Sequence, residues 1–491
     1  MNITSDSGWA GHPRGLSTLF FTEMWERFSY YGMRALLIYF LVAPEDAGGL
    51  GFDTKKAGLI YGTYTMSVYM LAVLGGFVGD NFLGLRRAVL WSGFVIAAGH
   101  FTLALHSRPA FFAGLVLVAL GSGLLKANMS ALVGTLYPAG DPRRDAGFSI
   151  FYMGVNLGAL AGPFVTGYLA QSGQWKQVLM QWGFDPAHSW HWGFASAGVG
   201  MLLALGYFLA TQRRIAHVGQ PPPAGELRPW GKLALVIAGA AALFCYVAKS
   251  DEPGWEWMRA LFVVGPLAAI VWFGFRRGGG AKPLAAVFVF CFASMIFWAV
   301  FEQGGSTIAL FCDQLTRHEI FGWSFPSAWF QAVGSIFVVV LAPGFAWLWI
   351  KLGDRQPSSP VKFVIGLALL GLSFALMIPA ARLTLEGKVS PLWVIGLFFL
   401  QSVGELCLSP VGLSTMTKLA PAKLVGLVMG VWFLATALGS KLAGVMAGLF
   451  TANRPEELAA AFGQQSLVVG VCTVVLLALV PWLKRLMGDV T

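Results

Sequence analysis

The run Glu23-Met24-Trp25-Glu26-Arg27-Phe28-Ser29-Tyr30-Tyr31-Gly32-Met33-Arg34 puts two carboxylates and two guanidiniums inside an apolar stretch long enough to cross a membrane. A charge at the centre of a bilayer helix costs roughly 2.5–3.5 kcal/mol even on mild scales, so this cluster implies internal pairing and a task. At about 100° per residue Glu23, Arg27, Tyr30 and Arg34 nearly eclipse one another, with Glu26 and Tyr31 within about 80° of that line. One helix face therefore carries the ionisable groups of the run, while Met24 and Phe28 point away from it.

The surrounding composition agrees with a membrane setting. Of 491 residues, 57% are hydrophobic and only 11% charged, which excludes an ordinary soluble enzyme and indicates an all-α polytopic membrane protein. The net charge of +10 is spread as basic pairs between apolar stretches, a topology signal rather than a nucleic-acid surface. The first apolar stretch holds the charge cluster and follows no basic n-region, so no cleaved signal peptide is expected. The five cysteines (Cys245, Cys291, Cys312, Cys407, Cys472) lie in or beside apolar segments and read as small core residues, not as a disulfide or metal set. No cofactor or metal is expected. The spans come with no nucleophile–base constellation, phosphate-binding glycine loop or soluble domain of appreciable size, which argues against an enzyme or a receptor.

A span needs about 20 apolar residues. Candidates fall near 16–43, 54–79, 87–106, 109–138, 146–172, 189–211, 230–249, 257–276, 282–313, 325–351, 360–382, 390–417, 423–450 and 463–486, about fourteen in all. An even count places both termini on one side. Loops on that side hold roughly twice the Lys and Arg of the opposite loops, so it is expected to be cytoplasmic. The segment Thr211 to Pro229, with Pro221-Pro222-Pro223, reads as a linker, and the two spans after it contain few polar residues. The expected organisation is a six-helix bundle over 1–212, a linker with an inserted helix pair over 213–281, and a second six-helix bundle over 282–491. Six-helix repeats about a midplane site are the arrangement of the major facilitator fold. The loop Gly76-Phe77-Val78-Gly79-Asp80-Asn81-Phe82-Leu83-Gly84-Leu85-Arg86-Arg87 is close to the facilitator signature, and Gly353-Asp354-Arg355 is a partial equivalent.

Four further ionisable residues sit inside apolar spans: Lys126, Glu302, Glu405 and Lys441. With the first helix, the first three fall on helices one, four, seven and ten, the first and fourth of each repeat. Arg27, Arg34 and Lys126 belong to the first half, Glu302 and Glu405 to the second. Pairs such as Arg34–Glu302 and Lys126–Glu405 are expected to hold a gate closed until substrate or a proton competes for a partner. A carboxylate beside a cation stays ionised, whereas one that loses its partner in a low-dielectric cavity takes up a proton. Lys441 and His100 are expected to be packing residues. Tyr152 and Asn156 are four apart on one span, Gln401, Glu405 and Ser409 form an i, i+4, i+8 stripe, and Tyr69 and Trp432 are aromatic candidates.

These residues identify a family. Glu23-x-x-Glu26-Arg27-Phe28-x-Tyr30-Tyr31 resembles the ExxERFxYY signature of the proton-dependent oligopeptide transporters at every defined position. Phe148-Ser149-Ile150-Phe151-Tyr152-Met153-Gly154-Val155-Asn156-Leu157-Gly158 resembles the family's helix-five segment, Phe297 to Gln303 its helix-seven motif, and Gly404-Glu405 with Ser409-Pro410 its helix-ten motif. The resemblance implies a symporter in the bacterial cytoplasmic (inner) membrane that imports di- and tripeptides with protons and functions as a monomer, without nucleic-acid partners. By position it implies proton coupling at Glu23, Glu26, Arg27, Lys126 and Glu302. It implies peptide contacts at Tyr30, Tyr31, Arg34, Tyr69, Lys126, Asn156, Glu302, Glu405, Ser409 and Trp432. Two departures stand out. Gln331-Ala332-Val333-Gly334-Ser335 lacks the Asn-Pro usual after this Gln, and Phe301 stands where some members carry a second acidic residue. The same fold also serves relatives that carry nitrate, amino-acid derivatives or other organic anions.

Overall fold

Residues 8–9, 11–138, 141, 143–221, 230–231, 233–234, 237–238, 281–320, 322–419, 425–450 and 453–487 are described by a computed structural model. Its helices are α1 (Gly15–Val42), α2 (Thr54–Val78), α3 (Leu85–Leu103), α4 (Arg108–Thr135), α5 (Arg144–Gln171), α6 (Gly173–Gln181) and α7 (Ser189–Thr211). They continue as α8 (Ala281–Phe301), α9 (Thr307–Leu315), α10 (Phe330–Leu352), α11 (Ser359–Leu383), α12 (Leu392–Leu419), α13 (Val425–Met446) and α14 (Pro455–Met487). Among the described residues the strands are β1 (Glu319–Ile320) and β2 (Trp323–Ser324), one short antiparallel pair. The all-α expectation holds.

Ten helical segments are long and apolar enough to cross a membrane among the described residues. α1 and α3 fall short in apolarity rather than length, because α1 carries the charged run and α3 opens on Arg86-Arg87. Of the expected inserted pair, 257–276 lies wholly outside the described residues and 230–249 nearly so; Cys245 lies outside them too. The other four cysteines are free thiols, three of them buried.

Two features depart from the expected spans. The stretch 282–313 is not one helix: α8 stops at Phe301, Glu302–Gly305 forms a 3-10 turn, and α9 resumes at Thr307. Gly304-Gly305 weakens the helix at that point, and Ser306 (φ −131°, ψ −90°) leaves it altogether. The nine-residue α6 is the other: it is too short for a span and escaped the hydropathy pattern.

The chain divides into two compact units. One comprises Met1–Phe52, Ser67–Ala242 and Phe325–Ser335, the other Asp53–Met66, Leu243–Ser324 and Ile336–Thr491, so α2 and α10 contribute to both.

In the first unit α1 packs on α5 and α7, and α3 on α4 and α7, around a core that includes Leu19, Ile96, Leu125, Met129 and Met201. α5 presents Gly154, Gly158 and Gly162, one turn apart, to α1. A Cβ on Gly158 would stand 2.8 Å from Arg27 Cβ and from Phe28 N, and one on Gly162 would stand 2.5 Å from Phe28 O. Small residues at this spacing let membrane helices approach backbone to backbone. Thr166 Oγ1 adds a hydrogen bond to the Gly32 carbonyl at 2.9 Å.

In the second unit α11 packs on α12 and α14, and α8 on α13 and α14. The first turns of α2 join them: a Cβ on Gly62 would stand 2.8 Å from Gly444 Cα, and Lys441 Nζ donates to Thr63 Oγ1 at 2.9 Å. Lys441 therefore ties α13 to α2.

Where α1 and α3 end, three imidazoles meet. The His106 ring centroid is 4.0 Å from His188 and 3.9 Å from His191. No group of three or more His, Cys, Asp or Glu among the described residues is placed to hold a metal ion. Partial burial, then the charge of His188, holds His106 below the ordinary histidine range. The folded chain keeps His106 neutral where the unfolded chain would be protonated. Its contribution to stability is therefore fully present above about pH 6.5, the unfolded value, and is lost as pH falls from there through the lower folded value. Thermal unfolding in detergent between about pH 7.5 and 5.5 is expected to show Tm falling with pH, and His106→Asn should flatten that slope. An unchanged slope in the variant would remove His106 from the account.

Candidate functional site

The charged run on α1 divides by burial. Glu23, Glu26 and Arg27 are only 5%, 0% and 3% exposed, and Tyr30 is buried with them, whereas Tyr31 and Arg34 are half-buried. Arg27 Nε lies 3.0 Å from Glu23 Oε1 and 2.5 Å from Glu26 Oε2. Both are ion pairs by distance, but the N–H is aimed at neither oxygen, and both Glu26 oxygens, Glu23 Oε2 and Arg27 Nη2 have no hydrogen bond among the described residues. Two carboxylates thus share one guanidinium. The second cation is Lys126 on α4, whose charge acts on both Glu23 and Glu26. Its Nζ stands 3.7 Å from the centroid of the Tyr69 ring on α2, a cation–π arrangement. Arg27 lies 5.2 Å from the Tyr30 ring and Arg34 6.0 Å from the Tyr31 ring, and the two tyrosine rings meet edge to face at 5.2 Å. α1, α2 and α4 thus bring together the cations and tyrosines singled out in the sequence.

On α5 Tyr152 is 46% exposed and accepts, through its carbonyl, a hydrogen bond from Asn156 Nδ2 at 2.9 Å. A contact the sequence did not signal backs the cluster. Ser29 Oγ and His100 Nε2 share a hydrogen bond of 2.8 Å, both fully buried, which fixes α1 against α3 two residues from Arg27. The two positions are 71 residues apart, and His100 alone read as packing.

In the second unit Glu302 opens the break in the helix and is buried, while Glu405 sits half-buried on α12. The charge of Glu302 acts on Glu405. The rest of the α12 stripe is polar and unsatisfied: both amide atoms of buried Gln401 and Ser409 Oγ have no hydrogen bond among the described residues. Gln401 was legible as part of the stripe but not as a buried amide. Trp432 is 4% exposed and packs on Phe363, with ring centroids 6.2 Å apart, and over Gly412.

The POT family model matches residues 86–464. This chain belongs to the POT family. The match begins after the charged run of α1, but full-length relatives cover that run as well. The Bacillus subtilis "Uncharacterized transporter YclF" is 42% identical, with 98% of this chain and 96% of that protein aligned. The "Peptide transporter YePEPT" of Yersinia enterocolitica is 38% identical over 98% and 96% of the two chains. The "Di-/tripeptide transporter" of Lactococcus lactis is 35% identical over 98% and 97%. Among solved structures, a mutant peptide transporter POT in complex with alafosfalin superposes with a TM-score of 0.86 at 38% identity, covering 98% of this chain and 97% of that one. A POT family transporter in complex with 5-aminolevulinic acid superposes with a TM-score of 0.83 at 31% identity, covering 98% of each. The chain is a multi-pass membrane protein of this transporter family, with the major facilitator fold expected from its repeats.

Proposed function

We propose that this POT family member imports di- and tripeptides together with protons by alternating access. It is placed in the bacterial cytoplasmic membrane with both termini inside, acts as a monomer, and uses the proton gradient in place of any cofactor. Relatives named peptide and di-/tripeptide transporters, aligned over nearly their whole length, support the substrate class. The observation that carries the coupling mechanism is the sealed pair Glu23 and Glu26 on Arg27, with Lys126 acting on both.

Charge balance gives the mechanism. With Lys126 facing the cluster, two carboxylates meet two cations. When a peptide carboxylate engages Lys126, Glu23 and Glu26 are left with Arg27 alone, and one excess negative charge at bilayer depth is relieved by taking up a proton. Substrate and proton then occupy the carrier together. Arg34 and Lys126 are assigned to the peptide carboxylate, with Tyr30, Tyr31, Tyr69 and Asn156 along its backbone. Glu302 and Glu405 are assigned to the amino terminus, with Ser409 and Trp432 beside them, and Glu302 also to proton coupling. A dipeptide of about 7–10 Å offers opposite charges at its two ends, which suits cations from one set of helices and carboxylates from another.

A second reading, transport of an amino-acid derivative, has one observation behind it: a 31%-identical POT family transporter was solved with 5-aminolevulinic acid. Competition separates the two. Uptake of labelled dialanine into proteoliposomes under an inward proton gradient is expected to be inhibited by unlabelled dipeptides at least about tenfold more strongly than by 5-aminolevulinate, free alanine or nitrate. Stronger inhibition by 5-aminolevulinate, or no dialanine uptake, would overturn the peptide assignment.

A further inference from the structure

At the end of the first unit where α3 begins and α7 finishes, the structure forms a cavity of about 410 Å³ lined by Arg86, Leu209, Ala210, Gln212, Arg213 and Ala216. It has room for roughly a dozen waters. Its wall is built rather than incidental. The segment after α7 folds back onto α3, with Arg86 N donating to the Gly219 carbonyl at 3.2 Å, and Gly219 makes that turn in the left-handed region (φ +62°). Among the described residues the lining contains two guanidiniums and a carboxamide but no carboxylate. Two arginines facing one cavity repel each other unless an anion sits between them, and a planar guanidinium fork is matched to phosphate oxygens.

The apolar half of the lining points to what carries the phosphate. Leu209 is 41% exposed, and further along the same helices the exposed apolar side chains include Trp91, Phe94 and Phe101 on α3 and Val199, Leu202 and Leu203 on α7. A charged cavity that opens onto lipid-facing apolar side chains fits an amphiphile with its headgroup at the arginines and its chains along the helices. We infer that the cavity bounded by Arg86, Gln212 and Arg213 binds the phosphodiester headgroup of an anionic phospholipid from the leaflet on the basic side of the protein. This site is separate from the α1 cluster and does not depend on which substrate is carried.

The test uses the full chain in nanodiscs of mixed phosphatidylglycerol and phosphatidylcholine, with retained lipid read by native mass spectrometry. Wild-type protein is expected to retain phosphatidylglycerol over phosphatidylcholine by on the order of tenfold. Arg86→Gln with Arg213→Gln should bring the two lipids near parity. Ala216→Trp, which fills the cavity from its rim and leaves both guanidiniums, should do the same. Lys484→Gln with Arg485→Gln removes two positive charges from the exposed last turn of α14 and should keep the preference. Equal preference in all variants would overturn the site. Displacement of phosphatidylglycerol by excess inorganic phosphate, or binding of phosphate alone without lipid preference, would assign the cavity to the free ion and overturn the lipid.

Discussion

Glu26→Gln is expected to abolish gradient-driven accumulation of labelled dialanine, a loss of at least about 100-fold or about 2.8 kcal/mol of coupling, while exchange counterflow stays within about tenfold of wild type. The substitution conserves shape and leaves Arg27 its second carboxylate, Glu23 Oε1, at 3.0 Å. What it removes is a fully buried acceptor whose oxygens make no hydrogen bond among the described residues and are balanced only by Arg27 and Lys126. Exchange of peptide for peptide needs no net proton, so a variant frozen in a proton-loaded charge state can still swap substrates. Loss of uptake and counterflow together, with normal folding, would show that Glu26 holds the helices in place rather than handling a proton.

Gly158→Leu is expected to cost about 3 kcal/mol or more and to yield little monodisperse protein, with uptake and counterflow lost together. The reason is local. The missing Cβ of Gly158 is where α1 passes, with Arg27 Cβ and Phe28 N both 2.8 Å from the position a Cβ would take. A side chain there pushes away the helix that carries the guanidinium shared by Glu23 and Glu26. Gly206→Ala on α7 is the control: no atom of the described residues lies within 4 Å of its Cβ position, so the change should leave transport intact and slightly favour the helix. Normal size-exclusion behaviour and activity in Gly158→Leu would mean that α1 and α5 can separate without cost.

The charged run of α1 was legible because charges inside an apolar span are costly and because helical spacing put them on one face. Burial draws the line elsewhere than the family resemblance does: Tyr30, which the resemblance gives to the peptide, is sealed with Glu23, Glu26 and Arg27, while Tyr31 and Arg34 are half-buried. Lys126 and Glu405 were legible for the same reason, as lone charges in apolar helices. The break at Glu302–Gly305 was not, since hydropathy continues unbroken through it and only Gly304-Gly305 hints at weakness. Contacts between distant positions were not legible either. Nothing in the spacing of Ser29 and His100, or of His106, His188 and His191, announces that they meet; helix packing decides it. Trp432, chosen as an aromatic candidate, proved largely enclosed by Phe363 and Gly412, a burial that composition does not reveal.

The most direct measurement is proton movement driven by peptide alone. Proteoliposomes loaded with a pH-sensitive dye, held at equal pH inside and out with the membrane potential clamped, receive external dialanine. Internal acidification is predicted for the wild type and none for Glu26→Gln. Entry of dialanine into wild-type vesicles without any change in internal pH would contradict the account.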